Sequence, residues 1–319
     1  MRCRSAVLLL SAAILFAAGC RREPTNARVD AAIAPLIPAD TAALAGLRLD
    51  RLKNTPFFHQ YVEGRRISAL NDFKAKTGLD PVQDVWEAVW AFRPAHSVVF
   101  IRGKFGGEFG LEPRFNVPGI QRMSYKGYYI LHQEGRGVLF LNTGVAVAGA
   151  VSDLQAAVDQ RDQPGAAPPA ALIDLVASLP ACHAYAVTLN GGSVAAGLPR
   201  EGQMGNFARM ASTLGKATLY ADLTEGINLQ GEASYPDPAV ARQVQDTVRG
   251  LVGILRLRTP QDRPDLLRLY DAIHVTAQEG RVSLTANAPF ELVDQVVRAL
   301  PTSSRPESRP PDSSSPRPR

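Results

Sequence analysis

The sequence predicts an α+β fold: two related domains of antiparallel or mixed β-sheet, each with helices packed on one face and each built from hairpin-helix units. Apolar residues alternate with polar ones on both sides of glycine-containing turns, which is the period of half-buried strands. Each such hairpin runs into a segment with apolar residues at helical spacing. Hairpins that alternate with helices favour antiparallel or mixed sheets over a doubly wound parallel sheet. With 319 residues, 45% of them apolar, the chain can bury one large core or two ordinary ones.

The N-terminus has the pattern of a lipoprotein signal peptide. Arg2 and Arg4 precede an apolar run that is too short to span a bilayer comfortably. The run ends in Phe16-Ala17-Ala18-Gly19-Cys20, which resembles the bacterial lipobox, whose cysteine is lipidated and becomes residue one. We therefore expect a signal peptide over 1–19 and a lipid on Cys20. An ordinary secretory signal with an incidental cysteine is the alternative.

A lipid on Cys20 would hold the mature protein in the cell envelope, because two or more acyl chains give stable anchoring. Arg21 and Arg22 follow the cysteine, in place of the aspartate that retains many lipoproteins at the inner membrane. We expect a periplasm-facing protein, in the outer membrane rather than the inner one. Residues 20–35 are expected to form a tether, and 301–319, rich in Pro, Ser and Arg, a disordered tail.

The charge distribution argues against nucleic acid as a partner. The formal net charge is +5, but six of the basic residues and two of the acidic ones lie in the signal peptide and the tail. The body between them is therefore close to neutral, which gives no electrostatic case for binding a polyanion.

In the first half, a helix is predicted near 65–77, and Asp80-Pro81 has the pattern of an N-cap followed by a first-turn proline. Farther along, apolar residues on both sides of Asn142-Thr143-Gly144 predict a hairpin. A helix is predicted from Ser152, with Gln155 three residues later in capping-box spacing.

The second half repeats this unit twice. Alternating residues flank a turn at Glu225-Gly226, and Asp237-Pro238 then predicts the start of a helix. A second hairpin turns at Glu279-Gly280 and leads into a helix from Pro289. A further helix is predicted near 201–214.

The two halves share a short internal echo. The two matching segments are Ile37-Pro38-Ala39-Asp40-Thr41-Ala42 and Leu179-Pro180-Ala181-Cys182-His183-Ala184. Each begins with Ile or Leu followed by Pro-Ala, and each has a second Ala three residues after the first. The echo predicts related domains over 36–162 and 170–300, joined by a Pro/Gly-rich linker over 163–169.

Four segments, in this order along the chain, resemble a group of bacterial lipoproteins of uncharacterised function: Lys76 to Asp84, Val98 to Phe105, Tyr125 to Tyr129 and Val147 to Gly149. The resemblance covers roughly 36–300. It implies a lipobox signal peptide followed by duplicated α+β domains, and it brings no catalytic residue to carry over.

Residues that could carry chemistry are scattered along the sequence. The five histidines fall in different elements without metal-ligand spacing, so we expect no metal site. The glycines around Lys104 lack the spacing of a phosphate-binding loop, so no nucleotide cofactor is expected. Cys182 is expected to be a small buried residue at the start of a strand, with a nucleophile or an intermolecular disulfide as the alternatives.

Segment 103–122 is expected to contact a partner. It is rich in Gly and Pro, yet it carries Phe105, Phe109 and Phe115, and exposed aromatic residues on a loop usually mark an interaction site. The alternative is that these rings fold back and cover an edge of the sheet.

Together, these observations predict a lipid-anchored envelope protein that acts by binding or assembly and carries no catalytic residues. Its expected partners are the membrane, through the lipid on Cys20, and an envelope protein or glycan. We expect no nucleic acid and no small-molecule cofactor. An envelope hydrolase with a site assembled only in space is the alternative, because Ser/His/Asp triads are recognised by geometry and not by sequence position.

Replacing Cys20 by Ala should release the protein from membranes, since the acyl chains would no longer be attached. Fractionation of cells that express Cys20→Ala beside the unmodified chain checks this. A variant that still sediments with membranes, or an unmodified chain found soluble after signal cleavage, would contradict lipid anchoring.

Overall fold

The computed structural model describes residues 25–63, 68–77, 79–94, 96–106, 118–162, 169–196 and 209–298. It confirms the predicted α+β class. The described strands form one sheet of 12 strands, and all of the neighbouring strands pair antiparallel.

The strands are, in chain order, β1 Ala43–Arg48, β2 Val85–Phe92, β3 Ser97–Gly103, β4 Gln121–Tyr125, β5 Tyr128–Gln133, β6 Arg136–Asn142, β7 Val145–Ala150, β8 Ala184–Thr188, β9 Ala217–Asp222, β10 Gly226–Ser234, β11 Ile273–Gln278 and β12 Arg281–Pro289. Their order across the sheet is β11-β12-β10-β9-β8-β1-β2-β3-β7-β6-β5-β4.

The helices are α1 Leu49–Leu52, α2 Pro56–Phe58, α3 Ser68–Thr77, α4 Pro81–Asp84, α5 Val151–Asp162, α6 Ala170–Ala177, α7 Gly191–Ala196, α8 Pro238–Arg258, α9 Pro264–Asp271 and α10 Phe290–Arg298. A 3₁₀ turn, Ala34–Leu36, precedes β1, and a π-helical turn, His59–Glu63, follows α2. Residues 209–212 are also helical.

The two predicted halves meet in the middle of the sheet. The strands that follow the two copies of the echo, β1 and β8, pair with each other, with Leu44 opposite Val187 and Gly46 opposite Tyr185. The ring of Tyr185 lies directly over Gly46, where any Cβ would overlap it. One sheet and one apolar cluster therefore run across the boundary between the halves.

The halves bury opposite faces of this sheet. From β1 to β7 the buried face packs under α5 and α6, and its cluster includes Leu44, Val89, Phe100, Val147 and Leu154. In the second half, by contrast, Val275 and Val282 of the sheet pack with Ala241 of α8. Cross-strand partners share a face of the sheet, whereas successive residues of one strand lie on opposite faces. By this rule Val275 and Val282 lie on the side of the sheet opposite to the large cluster.

Most of the local predictions are confirmed. The turns at 142–144, 225–226 and 279–280 connect adjacent antiparallel strands. Asp80 accepts hydrogen bonds from the N–H groups of the following turn, and Asp237 accepts one from Ala239 at 2.7 Å. The predicted cap at Ser152 is wrong, since α5 already begins at Val151 and Ser152 lies in its first turn.

The expected tether is shorter than predicted. Residues 25–35 lie on the body, where Ala27 donates to the carbonyl of Leu179 at 2.9 Å and Asn26 forms a bridge with Pro180. Val29 and Ile33 are buried in the large cluster, and burial of such apolar side chains stabilises the attachment.

Replacing Gly46 by Ala should destabilise the protein by about 1–3 kcal/mol, because the new methyl group meets the buried ring of Tyr185. Urea unfolding measures the change. Gly250→Ala is the control, since nothing lies within 4 Å of a Cβ there and alanine favours the helix interior. Adding Tyr185→Leu should remove much of the cost of Gly46→Ala, and additive effects in this double-mutant cycle would contradict the contact.

Candidate functional site

A row of polar side chains lies on the face of the second half that α8 does not cover. Tyr220 of β9 is opposite Gln230 of β10, and Gln230 is opposite Thr285 of β12. A parallel row consists of Thr218, Glu232 and Ser283. These hydroxyl and amide groups, together with the Glu232 carboxylate, form the floor of a cavity of about 440 Å³.

We call this cavity the sheet groove. Its rim is partly apolar and partly charged. The end of α6 and the turn after it contribute Leu175, Ser178, Leu179 and Pro180. Lys216 and Arg281 lie on the other sides, and Arg281 pairs with Glu232 at 2.8 Å. The groove therefore offers many hydrogen-bonding groups and, with Lys216 and Arg281 against Glu232, one excess positive charge beside a small apolar wall.

A second feature lies on the same face of the sheet, in the first half. Glu87 in β2 stands between Arg48 of β1 and Arg102 of β3, because the register pairs it with both. Only 2% of Glu87 is exposed. These residues line a smaller cavity of about 270 Å³, together with Asp30, Asp50 and Trp86. We call it the Glu87 cavity.

The two guanidinium groups beside Glu87 are held by other partners. Arg48 donates to both oxygens of Asp50, at 3.1 and 2.7 Å. Arg102 donates through Nη1 to the carbonyl of Gly144, and its guanidinium lies 5.2 Å from the centre of the Trp86 ring. Neither makes a hydrogen bond to the Glu87 carboxyl group that would offset its burial.

Burial therefore controls the protonation of Glu87. Loss of water raises its pKa to about 7, against the opposing effect of the positive charge on Arg48. The nearby Tyr185 has its pKa raised as well, first by burial and then by the charge of Glu87. Such a shifted acid beside a cavity is typical of functional sites.

Unpartnered polar atoms are concentrated here. Among the described residues, three of the five buried side-chain atoms without a hydrogen-bond partner belong to Glu87, Arg102 and Tyr185. Buried polar atoms in native proteins nearly always have hydrogen-bond partners. A cluster of unpartnered atoms is therefore typical of a functional site or of a place where water binds.

The predicted contact residues are only partly described. Phe105 is 5% exposed, and its ring packs 5.6 Å from that of Phe140. This ring is therefore folded back onto β6, an inner strand of the sheet, and is not exposed on a loop. Phe109, Phe115 and the expected lipidation site Cys20 lie outside the described residues.

Cys182 and His183 both have structural surroundings. Cys182 is buried, and burial raises the pKa of its thiol to about 11, which disfavours the reactive thiolate. His183 accepts a hydrogen bond from the N–H of Leu223 at 3.0 Å through Nδ1, the same atom that lies 3.3 Å from Asp222. That nitrogen carries no proton to share with the carboxylate, and burial lowers the pKa of the ring.

The described part of the chain has neither a metal-binding cluster nor a membrane-spanning helix. It contains no group of three or more His, Cys, Asp or Glu side chains placed to hold a metal ion. Within the same residues, no helix combines the length and the apolar character needed to cross a bilayer.

Sequence reasoning missed both cavities. Glu87 left one signal, since it is the only charged residue within the apolar strand β2. The polar floor of the sheet groove left no such signal, because polar residues alternate in any strand with one wet face.

Comparison with known proteins identified solved structures of low sequence identity. No protein-family model matches this chain, and no curated protein matches it. Crystal form III of TP0453 is similar with a TM-score of 0.47 and 12% identity, covering 84% of this chain and 98% of that one. Crystal form I of TP0453 is similar with the same TM-score and identity, covering 84% and 96%.

Replacing Glu87 by Gln should change how stability depends on pH. The folded protein holds the Glu87 proton up to about pH 7, whereas the unfolded chain loses it near 4.5, so the native protein loses stability as pH rises through this window. The amide of the variant does not titrate. The free energy of unfolding of Glu87→Gln, relative to that of the native protein, should therefore rise by about 3 kcal/mol between pH 4 and pH 8.

Urea unfolding at both pH values measures this difference, with Glu291→Gln on the exposed surface as the control for removing a carboxylate. Parallel pH profiles for the native protein and Glu87→Gln would show that Glu87 ionises normally.

Proposed function

We propose that this chain is a lipid-anchored protein of the cell envelope that binds the polar glycans of the membrane to which it is attached, with the sheet groove as the binding surface. The observation that carries the proposal is the uncovered polar floor of the groove, formed by β9, β10 and β12. Hydroxyl and amide side chains in a concave site suit a ligand that is itself rich in hydroxyl groups.

The charges of the groove support an uncharged or weakly charged ligand. Arg281 forms an ion pair with Glu232. Lys216 is then the remaining cation among the residues that line the groove. A strongly anionic ligand would be attracted by a cluster of basic residues, which this groove does not present among its lining residues.

The N-terminal attachment supports a ligand close to the membrane. Residues 25–27 are fixed to Leu179 and Ala181, next to the groove wall. With a lipid on Cys20, five peptide steps separate the anchor from Thr25, which span about 18 Å at most when fully extended. The groove therefore lies within reach of membrane head groups, and a distant cell-wall polymer fits less well.

Binding to oligosaccharides released from outer-membrane glycolipids tests the proposal. Thr218→Val with Thr285→Val removes two hydroxyl groups from the floor and keeps the strand-favouring shape of the side chains. We expect calorimetry to give saturable binding for the native chain and at least tenfold weaker binding for this double variant.

The matched control is Thr276→Val, an exposed threonine on the same face of edge strand β11 that does not line the groove. It should bind as the native chain does. No saturable binding, equal loss in the control, or binding only to fragments of cell-wall sacculi would overturn the proposal.

A further inference from the structure

The charged side chains that line the sheet groove are gathered at one end of it. Lys216 lies just before β9, where its carbonyl accepts from the backbone N–H of Ser234 at 2.9 Å. Ser234 is in turn opposite Arg281 of β12. Glu232 lies two residues before Ser234 on β10 and therefore on the same face. The lining thus has three charged side chains within two neighbouring rows of the sheet.

The other end of the groove is uncharged. Tyr220 lies four residues beyond Lys216, which is about 13 Å along an extended strand. Its hydroxyl donates to Oε1 of Gln230 at 2.7 Å, and Thr285 completes the row. A ligand that fills the groove therefore meets hydroxyl and amide groups at one end and charged groups at the other.

One positive charge at the charged end is not balanced. The guanidinium of Arg281 pairs with Glu232 at 2.8 Å. Lys216 is exposed, and among the described residues its ammonium has no ion-pair partner. A ligand lying along the groove covers this ammonium and removes part of its water. That removal is unfavourable unless the ligand supplies an opposite charge.

The size of the imbalance indicates which anionic group fits. A second negative charge on the ligand would be repelled by Glu232. A phosphate monoester carries about 1.5 to 2 negative charges at pH 7, which exceeds the single charge available. A carboxylate carries one negative charge and accepts hydrogen bonds from an ammonium group.

We propose that the glycan bound in the sheet groove contains a sugar acid, whose single carboxylate pairs with the ammonium of Lys216. Uncharged sugars of the same glycan lie along Tyr220, Gln230 and Thr285. This inference rests on the function proposed for the groove, and it names the class of glycan that the groove selects. Lys216 is then the residue that determines this specificity.

Chemical modification of the glycan tests the proposal. Oligosaccharides released from outer-membrane glycolipids are compared in three forms: intact, with carboxylates reduced to primary alcohols, and with phosphates removed. In calorimetry at low ionic strength, the carboxyl-reduced form should bind the native chain about fivefold more weakly than the intact form, as expected for an exposed ion pair. The dephosphorylated form should bind as the intact form does.

The variant Lys216→Gln locates the carboxylate. It should bind the intact and the carboxyl-reduced forms equally, each with about the affinity of the native chain for the reduced form. Added salt should weaken binding of the intact form to the native chain and have little effect on the variant, because salt screens exposed charges. Lys104→Gln is the matched control, since Lys104 is exposed but does not line the groove, and it should keep the preference of the native chain.

Equal binding of the intact and reduced forms to the native chain would overturn the sugar-acid proposal and leave the glycan-binding function in place. A preference that is lost on removal of phosphate would also overturn it, as would a preference for carboxylate that persists in Lys216→Gln. Absence of saturable binding by all three forms would overturn the proposed function itself, and the sugar-acid proposal with it.

Discussion

The antiparallel pairing of β1 with β8 is the contact on which the rest of the fold depends. It joins two sets of strands that are far apart in the sequence, and it places the ring of Tyr185 on Gly46 at the centre of the sheet. A shift of one residue in this register would turn every side chain of a strand to the opposite face. The close fit of ring and glycine opposes such a shift.

This pairing also determines where one face of the sheet is left uncovered by helices. Leu44 and Val187 continue the apolar face that α5 and α6 cover, but the next strand places Thr218 beside Val187. At that point the buried face changes sides, and α8 covers the other one. The sheet groove lies just beyond the change, against the end of α6.

The Glu87 cavity shows the opposite case, a polar group retained within a buried face. Removing a carboxyl group from water costs several kcal/mol unless charges and hydrogen bonds offset it. The upward direction of the pKa of Glu87 means that here they do not, since Arg48 is held by Asp50 and Arg102 by Gly144. Such a group destabilises the folded protein when it is ionised, because its charge is not fully offset by its surroundings.

The sequence by itself determined the local structure of this protein. Hairpins, the Asp80 and Asp237 caps and the α+β class follow from residues close together in the chain, where periodicity and capping act. It did not determine the β1–β8 pairing, the change of buried face or the meeting of Arg48, Glu87 and Arg102. Those depend on strand register between distant segments, which only the packed sheet sets.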